Sequence, residues 1–374
     1  MEVQHDCDCI ARPFGAPSSI RGGVTLIPRM KSHLNKLATI TAVALLVLSS
    51  SVVARPAKDR DASPTAAVSN VTGLWNNPTD IQSRDLFYGA GGKDHAPLTK
   101  FTFVKEDLEG TNPKFDVRDE AGTKWKAKLG VEARPEVVAS RLVWAVGYYT
   151  NEDYFVPEMH VDDMPRLKRG QNLVGADGTV RNVRLKRASS GEKKTGIWKW
   201  GDNPFTSQRE LNGLRVMMAL VNNWDLKDSN NAIYESKKEE GADAREARYL
   251  VSDLGASFGT TGRGWSHEVS KGNLKSFQHS KFITKVTPEY VDFSTPSAPN
   301  PIFVLTPKEY FSRVGMRRIG RHIPRSDARW IGSLLAELSL DQIRNAFRAA
   351  DYPPAQIEGF AAVLEKRIAE LKSL

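Results

Sequence analysis

Cysteine is nearly absent from this sequence. Cys7 and Cys9 are the two in 374 residues, and both precede a second methionine, Met30. Their spacing hints at a metal or redox pair, but the stretch holding them reads as a mis-called upstream extension, residues 1–29. Past that point there is no thiol, so the fold depends on its core and not on disulfides. Long apolar runs are also scarce. The longest, Leu37 to Leu48, is short for a membrane span, and no stable span is expected. No internal repeat is visible, and no G-x-G-x-x-G loop occurs.

What is present begins with a leader pattern. "MKSHLNKLATITAVALLVLSSSVVA", residues 30–54, carries Lys31 and Lys36 ahead of the apolar run. Val52 and Ala54 suit the −3 and −1 positions of a signal-peptidase site. The expectation is export to a periplasm, a cell envelope or the medium, with an uncleaved anchor as the alternative. Residues 55–70 are polar and rich in Pro, Ala and Ser, and read as a disordered linker.

The remainder is long enough to bury a substantial core. The formal charge is +9. Basic residues are spread along the chain, so no nucleic-acid partner is expected. One denser run, "RVGMRRIGRHIPR" at 313–325, suits either an anionic partner or a solvated surface.

The hydrophobic pattern divides this part in two. "KFTFVKED", "KFDVRD" and "KWKAKLG" alternate as three strands, joined by turns at "LEGTNP" and "EAGT". A helix follows, with Pro135 in its first turn, Val138, Leu142 and Ala145 on one face, and Gly147 as its stop. "YFVPEMHV" is extended, and "NLVGADGTVRNVRL" reads as two strands about an Asp-Gly turn. Ser207 and Glu210 form a capping box before "LNGLRVMMALVNN". "NAIYES" and "ARYLVSD" read as strands, with a charged hairpin tip between them. Residues 259–305 look irregular. Helices are expected at 327–338 with Ser326 as N-cap, at 340–350 and at 354–372. The fold class is α+β in two lobes: a β-rich N-lobe with its hinge at 71–160, and a mainly helical C-lobe at 161–374. A cleft between such lobes is a common ligand site.

Phosphoryl transfer needs a cation for the phosphates, a carboxylate to hold that cation, metal ligands, a base and a lid. The chain offers each in order. Gly110 and Thr111 in "LEGTNPKF" supply a turn able to present amides or hydroxyls. Lys126 and Lys128 share a strand face, with Trp125 and Ala127 on the other, so either lysine suits the phosphates. Glu136 opens the following helix, where it can pair with that lysine or simply favour the helix N-terminus. "NNWDLKDSNNAIY" then places Asp225, Lys227 and Asn230 just past a helix end. Asp225 can orient or deprotonate a hydroxyl, Lys227 can stabilise the transferred group, and Asn230 or its neighbour Asn231 can offer a neutral oxygen to Mg²⁺. "YLVSDLGASFG" ends an apolar strand in Asp253, a costly place for a charge unless a cation meets it.

These segments, about residues 101–260, resemble the atypical branches of the protein-kinase-like fold: the HipA-type, phosphatidylinositol, secretory-pathway and CotH-type spore-coat kinases. "PEVVASRLVWAVGY" resembles the N-lobe helix of HipA-type proteins. "NNWDLKDSNNAIY" followed by "YLVSDLGASFG" resembles their catalytic and metal-binding loops. The resemblance implies ATP and Mg²⁺ as cofactors, Lys128 on the phosphates, Asp225 as base, and Asn230 and Asp253 on the metal. It also implies a hinge at "YFVPEMHV" receiving adenine near Glu158 to His160. The sequence departs from ordinary kinases at Trp224, which stands where they carry Arg, and in the Leu after Asp253.

The expected activity is therefore that of an exported ATP- and Mg²⁺-dependent phosphotransferase acting on a protein, lipid or glycan hydroxyl. Two alternatives remain open: an inactive pseudokinase or nucleotide-binding module, and a nucleotidyl-transferring enzyme. Transfer of labelled phosphate separates the first from the leading reading. The mass of the product separates the second.

Overall fold

Three alternating segments build one wall of a barrel. In the computed structural model these are β1 (Phe101–Asp107), β2 (Lys114–Asp119) and β3 (Lys124–Leu129), an antiparallel meander at the expected positions. The structure describes residues 73–110, 112–189, 191–236, 246–260, 271–295 and 307–374, all within the compact unit Thr65–Leu374. The cysteines, the leader, the linker, Thr111 and nearly all of the hairpin tip after Ser236 lie outside those residues. No helix among the described residues is long and apolar enough to cross a membrane.

The wall closes through β4 (Asp153–Asp162) and β5 (Thr179–Arg187), in the order β1-β2-β3-β5-β4. A short parallel pairing of Phe101 with Val161 completes the ring. Alternation puts Phe115, Val117, Trp125, Ala127, Val183 and Leu185 inside it as a separate core. This corrects the expected division at residue 160. β5 lies between β3 and β4 in the ladder, so the strand-rich part runs to Arg187. The Asp177–Gly178 turn, with Gly178 at φ +81°, leads into it.

Helix α1 (Ala133–Ala145) packs against β4 and β5. It is buried almost all round, including Glu136, Ser140 and Arg141. Its C-terminus closes as expected. The amide of Gly147 donates to the Trp144 carbonyl (2.9 Å) and that of Tyr148 to Val143 (3.4 Å), with Gly147 at φ +98°.

Beyond the barrel, β6 (Glu192–Gly196), β7 (Asn231–Ser236) and β8 (Ala247–Val251) form a small sheet ordered β6-β7-β8. Helix α2 (Arg209–Leu220) precedes β7. The expected capping box is not formed. Gln208 is the N-cap and makes no side-chain capping bond, because the helix starts one residue later than Ser207 would require. The segment expected to be irregular contains helix α3 (Leu274–His279) and strands β9 (Ile283–Val286) and β10 (Tyr290–Phe293), which form a sheet with the later β11 (Ile323–Pro324). Each is too short for periodicity to register. Helices α4 (Pro307–Met316), α5 (Arg325–Leu335), α6 (Leu340–Arg348) and α7 (Pro354–Lys372) complete the chain. α5 starts ahead of Ser326, with Pro324 as its N-cap. α6 has a full capping box from Ser339 and Gln342. These helices share one large core with α1 and α2.

Candidate active site

The last residues of β3, the entrance to α1 and the end of β8 meet at one lysine. Lys128 is 3% exposed, and its Nζ lies 2.8 Å from Glu132, 2.8 Å from Glu136 and 3.0 Å from Asp253. Glu136 also accepts from Arg184 of β5 at 3.0 Å, and Lys271 bonds to Glu132. Burial alone would discharge the lysine, yet the three carboxylates outweigh it and hold its pKa well above the ordinary value. Burial would likewise raise Asp253, but Lys128 and the Gly255 amide bring it down to about 2. Glu136 is different. Enclosed on every side, its carboxyl is pushed upward by burial despite Arg184 and Lys128.

Asp253 is where it is because β8 ends there. Its Oδ1 accepts from the amide of Gly255 at 3.1 Å. Glycine at 255 leaves room for Glu132, since a Cβ there would stand 2.8 Å from that side chain.

The second half of the site follows α2. Asn222 stops the helix at φ +55°, with its amide on Ala219 (3.1 Å) and that of Asn223 on Met218 (2.9 Å). Asn223 Oδ1 then accepts the amide of Asp225 at 3.0 Å. Asn230 folds back and donates to the Asp225 carbonyl (2.6 Å) and to Oδ2 (3.3 Å). Its own carbonyl accepts from the amides of Ser252 (2.7 Å) and Asp253 (3.2 Å). The Asp225 loop and the Asp253 turn are therefore hydrogen-bonded to each other. Lys227 Nζ lies 3.3 Å from Asp225 Oδ1, which accepts no hydrogen bond among the described residues.

The structure thus brings Lys128, Glu136, Asp225, Lys227, Asn230 and Asp253 into one region. It separates the others. Lys126 is tied to Asp107 and lies 3.3 Å from Asp116, two residues along β3 from the cluster. Gly110, at φ +66°, gives its carbonyl to Arg169. Asn231 is fully buried, and its amide donates to Trp198 at 3.0 Å, away from Asp253. Glu158 and His160 sit on β4, inside the ladder with β5. Both are exposed, paired with Arg181 and Asp162. The segment expected to receive adenine thus lies within the barrel. Residues 154–161 form a barrel strand, and the chain leaves the barrel only after Arg187.

Sequence reasoning missed Glu132, Asn112 and Lys271. Asn112 donates to Glu132 at 2.6 Å, so the β1–β2 turn does reach the cluster, through a different residue from those expected. Glu132 is the N-cap position of α1 and reads as ordinary helix-start chemistry. Trp224 carries Arg313 on its ring at 5.4 Å and Lys271 at 5.5 Å. Arg313, from α4, also comes within 3.8 Å of Asp225.

Oxygens of Glu132, Glu136 and Asp253 lie within 4.8 Å of one another. An all-carboxylate set with a neutral amide nearby fits a hard divalent cation. Lys128 already supplies one positive charge at its centre, and Asp253 is the open member, with 40% of its side chain exposed. Two cavities flank the site. One, of about 920 Å³, opens where β3 begins and β5 ends. The other, of about 1090 Å³, is lined by Leu226 to Ser229 and by α4.

No protein-family model and no curated protein matches the chain. Among solved structures, a proinflammatory kinase of Helicobacter pylori, CtkA, is similar at 12% identity and TM-score 0.33, over 74% of this chain and 99% of that one. The Golgi casein kinase is similar at 8% identity and TM-score 0.29, over 72% and 75% of the two chains. Its form with Mn/ADP bound gives 8% identity and TM-score 0.31, over 74% and 73%. Likeness at this level leaves the reading of the site to its own geometry.

Proposed function

We propose that this chain is a phosphotransferase that moves a phosphoryl group from a nucleoside triphosphate to a hydroxyl-bearing acceptor. One observation carries the reading. A buried strand lysine, Lys128, is locked between the helix carboxylate Glu136 and the loop carboxylate Asp253, and the Asp225–Asn230 loop is bonded to that same loop. This is the arrangement that phosphoryl transfer asks of a protein: positioned charge with little covalent chemistry.

Asp253 and Asn230 are the residues that would hold a magnesium ion, with Glu132 beside them. A bound ion supplies charge neutralisation on the phosphates. Lys128 orients and neutralises phosphate oxygens, and Glu136 with Arg184 holds that lysine in place. Asp225 accepts or orients the acceptor hydroxyl proton through its carboxylate. Lys227 stands beside it to offset charge on the transferred group. Asn230 is taken as the metal-side amide because its backbone carbonyl is bonded to the Asp253 turn, whereas Asn231 is fully buried against Trp198. The exported location belongs to the same proposal and rests on the residue 30–54 pattern.

The test is titration calorimetry with nucleotide and Mg²⁺, followed by transfer of labelled γ-phosphate. Asp253→Ala should lose Mg²⁺-dependent binding. Asp225→Ala should keep binding and lose transfer by about 10²-fold or more. Wild-type binding and transfer in Asp253→Ala would sink the assignment.

A further inference from the structure

The cavity at the start of β3 and the end of β5 holds a cation with no hydrogen bond or close ion pair among the described residues. Lys186, on β5, lines it and is half-buried. It lies directly across the ladder from Lys126 of β3. Like charges in that position oppose each other. Lys126 is compensated by Asp107 and Asp116. Lys186 makes no hydrogen bond or close ion pair among the described residues. Its cross-strand neighbour on the other side, Asp153, acts only at longer range. Burial, then Arg184, lowers its pKa.

The acids that share the cavity are spoken for. Asp116 faces Lys126 at 3.3 Å and Lys105 at 3.7 Å, Glu152 is met by His95 at 3.0 Å and Arg187 at 3.7 Å, and Glu192 by Arg248. The carboxylates of the cavity are therefore paired with other cations and not with Lys186. The cavity also adjoins the proposed phosphate site through β3, since Lys126 lines it. Lys126 is two residues from Lys128 along β3, about 7 Å, so a nucleotide with its phosphates at Lys128 extends its base toward Lys186.

On the reading that this is a nucleotide site, we propose that Lys186 reads the base, and that the site takes a 6-oxopurine, guanine before adenine, in place of the adenine expected from the family resemblance. A lysine ammonium donates to O6 and N7 of guanine together, while adenine presents its own N6 donor at the same edge. The base supplies the acceptor that Lys186 lacks, and compensates the like-charge pair across β3 and β5. Lys186 is thus a specificity residue, distinct from the groups that touch the phosphates.

The experiment is calorimetric titration of the full chain with GDP, IDP and ADP in the presence of Mg²⁺. IDP keeps O6 and lacks the 2-amino group. GDP and IDP should each bind about tenfold or more tightly than ADP, the scale of one good paired contact to a base edge. Lys186→Met should reduce that ratio to near unity, and Lys186→Arg should retain it. Thermal melting with no ligand checks that Lys186→Met folds; removing a repelled charge should leave the melting temperature equal or higher. ADP binding as tightly as GDP, or a ratio that survives Lys186→Met, overturns the base assignment alone. Failure of all three nucleotides to bind overturns it together with the phosphotransferase reading.

Discussion

A single ammonium between three carboxylates sets the properties of this site. Removing Lys128 leaves Glu132, Glu136 and Asp253 facing one another, with Arg184 on Glu136 and Lys271 on Glu132 as the remaining cations. Lys128→Met should lower unfolding stability by about 3 kcal/mol in urea titration, because buried carboxylates lose their cation. Adding Glu132→Gln should restore about 1 kcal/mol, since one uncompensated charge is gone. A double variant as unstable as the sum of both single losses would show that Glu132 does not share that cation. The sequence already marked Lys128, Glu136 and Asp253 by residue type and order. Glu132 escaped because a glutamate before a helix needs no partner to be favourable there. Lys271 escaped because it stands 139 positions away along the chain.

At the scale of elements, the site depends on where helices stop and strands turn. α1 and α2 both end with crossed amide bonds around a left-handed residue, Gly147 in one and Asn222 in the other. The Gly147 stop was legible, because glycine at that place has few other reasons. Asn222 read only as part of a polar stretch, since asparagine adopts that conformation without requiring it. A Cβ on Gly147 would stand 2.3 Å from the Asn76 carbonyl. Gly147→Ala should therefore cost about 2 kcal/mol or more in urea unfolding, from strain at positive φ and from that clash. The β1–β3 wall makes a separate prediction. Burial would raise the Asp107 carboxyl, but its bond to Lys126, with Lys114 nearby, brings it down from 3.8 to about 2. A depressed carboxyl stabilises the fold above its unfolded pKa and loses that contribution as pH falls through its folded one. Stability should thus drop between about pH 4 and pH 2, by about 1 kcal/mol from this group after solvent screening. Asp107→Asn should remove that part of the acid transition.

Across the whole described molecule, the barrel has its own core and the helices share another. Arg367 of α7 is one tie within the helical part. It is buried, and donates to the carbonyls of Leu220 at 2.7 Å and Ala219 at 3.3 Å and to Ser280 Oγ at 2.7 Å. Burial brings its guanidinium down to about 10. Arg367→Met should leave the Leu220 carbonyl of α2 unanswered and cost about 2 kcal/mol in thermal or urea unfolding. The stabilisation gained on adding nucleotide should be unchanged, because Leu220, Ala219 and Ser280, to which Arg367 donates, are not residues of the Lys128 site. A variant that lost nucleotide stabilisation with its melting point intact would contradict this structural role.

The sequence by itself determined the α+β class, the three-strand meander, the helix before Gly147 and the order of Lys128, Glu136, Asp225, Asn230 and Asp253. Those features are local: alternation, a stop residue and short spacings carry them. Tertiary structure decided what local patterns leave open. Barrel closure placed β5 inside the ladder and Glu158 and His160 on a strand paired with it. Folding buried Asn231 against Trp198 and tied Asn230 to Asp225. The meeting of β3, α1 and β8 brought Glu132 to Lys128, and the β3–β5 ladder set Lys186 against Lys126. Each of these outcomes depends on which distant segments become neighbours, and no spacing along the chain encodes that.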